Sequence, residues 1–167
     1  DKRSLPVAVA GFHGGGKPLK GLTMVAWIKP APEMGKSTHG GKGDIVGYGA
    51  RRFILGLAGQ QAPYQLTARV NVGESLTSTE KLEADRWYQV ALTAAPQATG
   101  WRLALWLDGR QVAEGAALKF PADAVVPHSL VLGAELFYFH DAYYRGLIGR
   151  TVVVERVLTP AEISALR

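Results

Sequence analysis

The most chemically suggestive stretch of the sequence is an aromatic segment at residues 137–144, Phe-Tyr-Phe-His-Asp-Ala-Tyr-Tyr. Exposed aromatic rings stack on the apolar faces of sugar rings, and a neighbouring Asp or His can form hydrogen bonds with the hydroxyls. The candidate ligand-binding residues of this segment are Tyr138, His140, Asp141 and Tyr143. The alternative is that part of the segment plugs the edge of a core, and the rings suited to that role are Phe137, Phe139 and Tyr144. The sequence leaves both interpretations open.

A second candidate region is the glycine- and lysine-rich segment 32–43, which we expect to be an exposed, mobile loop because it has little apolar surface to bury. Positive charge gathers around it, since residues 1–52 hold nine of the 19 basic residues and only three of the 14 acidic ones. Lys36 and Lys42, together with Arg51, are candidates to meet the carboxylates or sulfates of an acidic glycan. Because the lysines stand singly among glycines, the alternative is a solvated face without a ligand.

The sequence contains only fragments of the motifs for phosphate binding and ester hydrolysis. Gly35-Lys36-Ser37 resembles the end of a P-loop, but the first glycine of that motif would fall on Pro30. His13 is followed by three glycines, as in the oxyanion loop of some esterases, yet the chain contains no Gly-x-Ser-x-Gly nucleophile motif.

Acid–base and metal chemistry are equally poorly supported. Glu83 and Asp85 approach the carboxylate pattern of sandwich-fold glycanases, but Tyr88 stands where a further acid is needed, and the two acids fall in a turn where a solvated role is expected. None of the four histidines has a partner at metal-ligand spacing, and the absence of cysteine excludes a disulfide framework and a thiol nucleophile. We therefore expect no catalytic residue, no metal site and no cofactor.

The candidate residues must be positioned by β-strands, because most of the chain alternates with a period of two. The clearest strands are 64–72, which places Tyr64, Leu66, Ala68, Val70 and Val72 on one face, and 101–107, which places Trp101, Leu103, Leu105 and Leu107 on one face. Asp108-Gly109 predicts a type I′ turn that returns the chain into a strand at 110–114. The other predicted strands are 5–10, 21–29, 44–48, 52–58, 87–93, 130–133 and 147–156. This many short strands predicts an all-β fold, either a sandwich or a barrel.

One helix is predicted at the end of the chain. Thr159 is a candidate N-cap, Pro160 suits the first helical position, and Glu162 completes a capping box. Ile163 and Leu166 then form the face that docks on the body. A length of 167 residues fits one domain.

Three local patterns resemble a laminin-G-like domain of the concanavalin A-like jelly-roll superfamily. Residues 22–30 (Leu-Thr-Met-Val-Ala-Trp-Ile-Lys-Pro) resemble the opening strand of that family. Residues 84–93 resemble its strand with a tryptophan followed by Val-Ala-x-Thr, and residues 105–113 resemble its Asp-Gly hairpin. Residues 130–133, 144–148 and 157–163 follow in the order of its closing strands and final helix, so the resemblance covers about residues 20–167.

This resemblance implies a two-sheet antiparallel β-sandwich formed by residues 1–167 as one domain, a fragment of a larger secreted or cell-envelope protein, commonly bacterial. It implies a non-catalytic, carbohydrate-binding accessory module, attached for example to a glycoside hydrolase or a sialidase. The alternative is an adhesion or architectural domain that packs against a neighbouring domain of its own chain. No apolar run approaches the ~20 residues of a membrane span, and no basic run indicates nucleic acid, so we expect neither partner.

The resemblance also bears on calcium. The family usually continues its closing strand with an acid that sometimes lies near a calcium ion, whereas this chain carries Gly149 and Arg150. Because calcium takes oxygen ligands and repels a guanidinium, we do not expect the ion there. Asp44 and Asp141 remain the candidate oxygen ligands.

Overall fold

The structure of the protein, a computed structural model, describes residues 7–9, 16–34, 42–50, 52–71, 73–133 and 143–167. Its strands form two large antiparallel sheets and one small one. The six-stranded sheet has the order β1 (Val7–Val9), β12 (Leu130–Leu132), β4 (Lys42–Tyr48), β5 (Phe53–Ala58), β6 (Tyr64–Val70) and β7 (Glu74–Leu82). The five-stranded sheet has the order β10 (Arg110–Ala117), β9 (Trp101–Leu107), β8 (Tyr88–Pro96), β3 (Leu22–Pro30) and β13 (Gly146–Val154). The small sheet pairs β11 (Val125–Val126) with β2 (Lys17–Pro18).

The predicted β-sandwich is confirmed, and it is of the jelly-roll type. The core lies between the two large sheets because the strands alternate as the period of two requires. Every described apolar residue predicted to face inward in 64–72 and 101–107 is buried in that core. The core contains an aromatic cluster, in which the centroid of the Phe53 ring lies 4.9 Å from that of Trp101 and 5.6 Å from that of Phe120.

The hairpin and the helix are also confirmed. Asp108 and Gly109 have φ angles of 49° and 77°, the positive values that a type I′ turn requires. The helix α1 (Pro160–Ala165) begins with the capping box, since Thr159 Oγ1 accepts a hydrogen bond from Glu162 N while a Glu162 carboxylate oxygen accepts one from Thr159 N at 2.8 Å. Ile163 is buried by this helix against the outer face of the five-stranded sheet.

Two features differ from the sequence prediction. Residues 32–43 are not a continuous exposed loop: Met34 is only 2% exposed, and β4 already begins at Lys42. Met34 is held in the core because its backbone N–H donates to Gln60 O at 2.9 Å, next to a bridge between Glu33 and Gln61. The nine-residue strand β7 was not predicted. It is an edge strand of the six-stranded sheet, and three of its four most exposed positions carry Ser or Thr.

Candidate functional site

The aromatic segment is closed at its base against the start of β4. Gly133 N donates to Ile45 O at 2.9 Å, and Tyr144 N donates to Gly133 O at 3.1 Å. Tyr143 then forms a parallel bridge with Asp44. Gly133, which follows β12, and Tyr143 therefore both contact the start of β4, at Ile45 and Asp44.

The basic segment is anchored at the same place. Arg145 O accepts a hydrogen bond from Ala31 N at 3.0 Å, and Arg145 N donates to the sulfur of Met34 at 3.3 Å. The other end of the segment runs directly into β4 at Lys42. The structure thus brings the ends of both predicted regions together, although they are about a hundred residues apart in the chain.

The predicted site residues fall into two groups. Tyr143 is 43% exposed, and Lys42 is the first residue of β4, where its backbone pairs with that of Ala58. The remaining four predicted residues lie outside the described part of the chain: Lys36, Tyr138, His140 and Asp141.

Tyr144 takes the core role that the alternative interpretation gave it. It is buried, and its hydroxyl donates to Leu147 O at 3.3 Å. Burial, followed by the nearby Tyr64, raises the pKa of Tyr144 above its ordinary value, so this phenol stays neutral. Its neighbour Tyr143 faces the other way, as alternation along an extended segment requires. The two proposed inner partners, Phe137 and Phe139, lie outside the described residues.

An ion pair that sequence analysis missed lies beside Tyr143. The carboxylate of Asp44, on β4, accepts a hydrogen bond from the guanidinium of Arg69, on β6. The pair reaches across β5 above Gly56, where a Cβ would lie 3.5 Å from the Asp44 carboxylate. The Asp44 side chain is almost fully buried, whereas that of Arg69 is partly exposed. Asp44, a candidate calcium ligand, is therefore engaged by a cation.

These residues form one row across the outer face of the six-stranded sheet. Asp44 pairs with Gly56 and Gly56 with Thr67, and Tyr143 extends the row beyond Asp44. Paired residues project on the same side of a sheet, so Tyr143, Asp44, Gly56, Thr67 and the overlying Arg69 share one surface, which we call the Tyr143 face. Of these five residues Tyr143 is exposed and Arg69 is partly exposed, whereas Asp44, Gly56 and Thr67 are buried.

A second polar cluster ties the two sheets together at the other end of β4. Tyr48 donates to Glu155 at 2.6 Å, and the same carboxylate lies 2.6 Å from His128 Nδ1 and 3.1 Å from Lys17 Nζ. The hydrogen bond from Tyr48, followed by contacts with Lys17 and His128, lowers the pKa of Glu155. Burial, and then Glu155, raises the pKa of Tyr48. The side chains of Tyr48, His128 and Lys17 thus all bond to Glu155, and the four residues come from four different segments of the chain. This arrangement indicates a structural role.

Within the described residues, no three His, Asp or Glu side chains converge as a metal site would require. Glu83 and Asp85 are exposed around the turn that precedes β8, as predicted. Arg150 is exposed on β13. No helix in the described part of the chain is long and apolar enough to span a bilayer.

Comparisons with known proteins agree on the fold. A family model described as the concanavalin A-like lectin/glucanases superfamily matches residues 9–164. No curated protein matches the chain in sequence. Among solved structures, the native heptameric SAP-like pentraxin from Limulus polyphemus superposes with a TM-score of 0.70 at 17% identity, over 93% of this chain and 73% of that one.

Two further solved structures with a similar fold are complexes with glycans. Domain 4 of AbnA, a GH43 extracellular arabinanase from Geobacillus stearothermophilus in complex with arabinotriose, has a TM-score of 0.65 at 16% identity, over 96% of this chain and 71% of that one. The IT-sialidase CBM40 from Ruminococcus gnavus bound to α2,3 sialyllactose has a TM-score of 0.63 at 16% identity, over 96% and 95%. At these identities the likeness is one of fold.

Proposed function

The chain belongs to the concanavalin A-like lectin/glucanase superfamily, and from this we propose that it is a non-catalytic carbohydrate-binding module of a larger secreted or surface protein. Because one fold hosts many functions, the proposal must rest on a site. The observation that carries it is the Tyr143 face, where a 43% exposed tyrosine stands beside the Asp44–Arg69 ion pair.

The Tyr143 face has the chemistry that a sugar ring needs. The ring of Tyr143 can stack on the apolar C–H face of a pyranose or furanose, and its phenol hydroxyl and the partly exposed guanidinium of Arg69 can bond the sugar hydroxyls. Gly56 leaves room for the Arg69 side chain to reach Asp44, so a sugar ring would meet the exposed Tyr143 and the partly exposed Arg69. Two structures of similar fold are bound to arabinotriose and to sialyllactose, which supports a glycan as the class of ligand.

The two segments anchored at this face would supply the rest of the site. We propose that Tyr138, His140 and Asp141 extend it on the aromatic side, and that Lys36 and Lys42 extend it on the basic side. A partly exposed Arg69 and these lysines favour a glycan with carboxylate or sulfate groups, because a charged acceptor strengthens each hydrogen bond.

A glycan-array screen of the folded protein, run with calcium and again with a chelator, tests this function. We expect binding that Tyr143→Ala weakens by about tenfold, which corresponds to the ~1.4 kcal/mol of a lost stacking contact. Leu118→Ala is the matched control, since Leu118 is an exposed apolar residue outside the Tyr143 face. Equal binding with the chelator is expected because Asp44 is held by Arg69.

Two results would contradict the proposal. A folded protein that binds no glycan on the array would favour the alternative, an architectural domain that packs on a neighbour in its own chain. Binding that Tyr143→Ala and Leu118→Ala leave equally strong would place the glycan elsewhere on the molecule.

A further inference from the structure

A second surface, on the opposite sheet, combines an exposed tryptophan with two cations that have no ion-pair partner in the described part of the chain. Trp87 is 44% exposed, whereas the rings of Trp101 and Trp106 are buried. Tryptophan is among the most hydrophobic side chains, so a half-exposed ring loses much of the stabilisation that burial would give it.

The ring of Trp87 is held against the sheet by a glycine. A Cβ at Gly149, on β13, would lie 3.4 Å from Cζ3 of Trp87 and 3.5 Å from Cβ of Trp27. The six-membered ring of Trp87 therefore rests over the bare backbone of β13, next to Trp27. This contact fixes the ring before a ligand arrives, which lowers the entropic cost of binding.

The surface around the ring carries apolar, basic and acidic side chains, the acids being the exposed Glu83 and Asp85 that precede Trp87. Leu147, two residues before Gly149, is 57% exposed, and its cross-strand partner is Lys29. Arg150 follows Gly149 and is exposed. Neither Lys29 nor Arg150 forms a salt bridge with any residue that the structure describes. We call Trp87, Gly149, Leu147, Lys29 and Arg150 the Trp87 patch.

The protein's own helix covers only the neighbouring part of this outer face. Leu158 and Ile163 pack there with Val25, Ala91 and Trp106. The cover ends at Trp27, whose Nε1 lies 3.5 Å from Leu166 O. Because β13 is the last strand in the order of its sheet, the Trp87 patch is open along that edge.

We propose that the Trp87 patch is a second glycan-binding surface, and that it takes a chain of sugars bearing carboxylates. One ring stacks on Trp87 and its neighbour contacts Leu147, while Lys29 and Arg150 meet the carboxylates. The half-buried Lys29 and the exposed Arg150 have no acidic partner among the described residues, so they favour an anionic over a neutral chain through charge-assisted hydrogen bonds. The inference takes only its ligand class from the proposed function, since it uses none of the residues of the Tyr143 face.

Oligogalacturonate and its methyl-esterified form are suitable probes, because esterification removes the carboxylate charge and keeps the sugar ring. Titration followed by calorimetry gives the affinity. Acrylamide quenching of tryptophan fluorescence gives an independent readout, since Trp87 is the most exposed of the four tryptophans and a bound chain should shield it.

We expect the wild-type protein to bind the acid at least several-fold more tightly than the ester. The affinity for the acid should fall as salt is added, because salt screens the charges. Trp87→Ala should weaken binding of the acid by about tenfold. The double variant Lys29→Gln/Arg150→Gln should bind acid and ester alike. Since both replaced cations are on the surface, this variant should fold even if Trp87→Ala does not, and circular dichroism checks both.

Matched controls separate the Trp87 patch from general charge and from the Tyr143 face. Lys119→Gln removes an exposed cation elsewhere and should leave the preference for the acid intact. Trp87→Ala should weaken oligogalacturonate binding more than Tyr143→Ala does, and Leu118→Ala, which lies outside both surfaces, should leave it unchanged. The inference is wrong if the wild-type protein binds neither probe, if it binds both equally, or if Tyr143→Ala abolishes binding while Trp87→Ala preserves it; the last result would still support the proposed function.

Discussion

The Asp44 carboxylate and the Arg69 guanidinium pair across an intervening strand, over the one position of β5 that has no side chain to separate them. The two residues are 25 positions apart in the chain. Asp44 lies on β4 and Arg69 on β6, and Gly56 on β5 leaves the path between them open. The ion pair therefore depends on three strands being in register, and it lies beside Tyr143 on the outer face of the six-stranded sheet.

Breaking this ion pair should destabilise the fold. Arg69→Gln removes a cation that pairs with the almost fully buried Asp44 carboxylate, and we expect the free energy of unfolding to fall by more than about 1 kcal/mol. Arg102→Gln is the control, because Arg102 pairs with the exposed Glu114 and its loss should cost less than about 1 kcal/mol. Urea unfolding of both variants checks the difference. Similar losses would mean that the Asp44 carboxylate does not depend on Arg69.

Local patterns were enough to predict most of the framework. The strand at Tyr64–Val70 and the hairpin at Asp108-Gly109 are encoded by neighbouring residues, through alternation and positive φ angles. The capping box at Thr159 is equally local. Each prediction needed no knowledge of which distant segment would become a partner, and each is confirmed.

What escaped the sequence analysis depends on distant partners or on weak local signals. The Asp44–Arg69 pair requires knowing that β4 and β6 flank β5, and nothing in either segment reports the other. Met34 lies in a glycine-rich stretch, yet Gln60 O holds it in the core. Trp87 was assigned to a strand, but β8 begins at Tyr88 and the tryptophan is exposed. Tyr143 was predicted as a ligand-binding residue and is exposed, while most of its proposed companions lie outside the described residues.

Glycines in two turns should differ sharply in their tolerance of alanine. Gly100 has a φ of +77°, and a Cβ there would lie 2.1 Å from the backbone oxygen of Ala117. Gly73 has a φ of +98° and nothing within 4 Å, so that Gly73→Ala isolates the cost of the backbone conformation. We expect about 1 kcal/mol for Gly73→Ala and more than about 3 kcal/mol for Gly100→Ala. Thermal unfolding compares the two, and equal values would contradict the close approach at Gly100.

The capping box should make stability depend on acid pH. The guanidinium of Arg156, followed by the backbone N–H of Thr159, lowers the pKa of Glu162 from 4.5 to about 2. Because the pKa is lower in the folded state, the stability that ionised Glu162 contributes is complete above pH 4.5 and is lost as the pH falls through about 2. Glu162→Gln should therefore destabilise the protein at neutral pH. At a pH near 2, its free energy of unfolding should approach that of the wild type. Urea unfolding across this range measures the gap, and a gap that stays constant would show that the charge of Glu162 is not involved.

Gln89 gives the last prediction, because its side-chain amide is only half satisfied beneath the helix. Its Nε2 donates to Ile163 O at 3.0 Å, but its buried Oε1 has no hydrogen-bond partner among the described residues. Gln89→Met keeps the volume and removes both the hydrogen bond and the orphaned acceptor. Since these two effects oppose each other, we expect a change of less than about 1 kcal/mol in the free energy of unfolding. Gln89→Ala opens a cavity against the helix and should cost about 2 kcal/mol or more. If chemical unfolding shows that Gln89→Met alone costs about 2 kcal/mol or more, the hydrogen bond to Ile163 O outweighs the unpaired oxygen in holding the helix to the sheet.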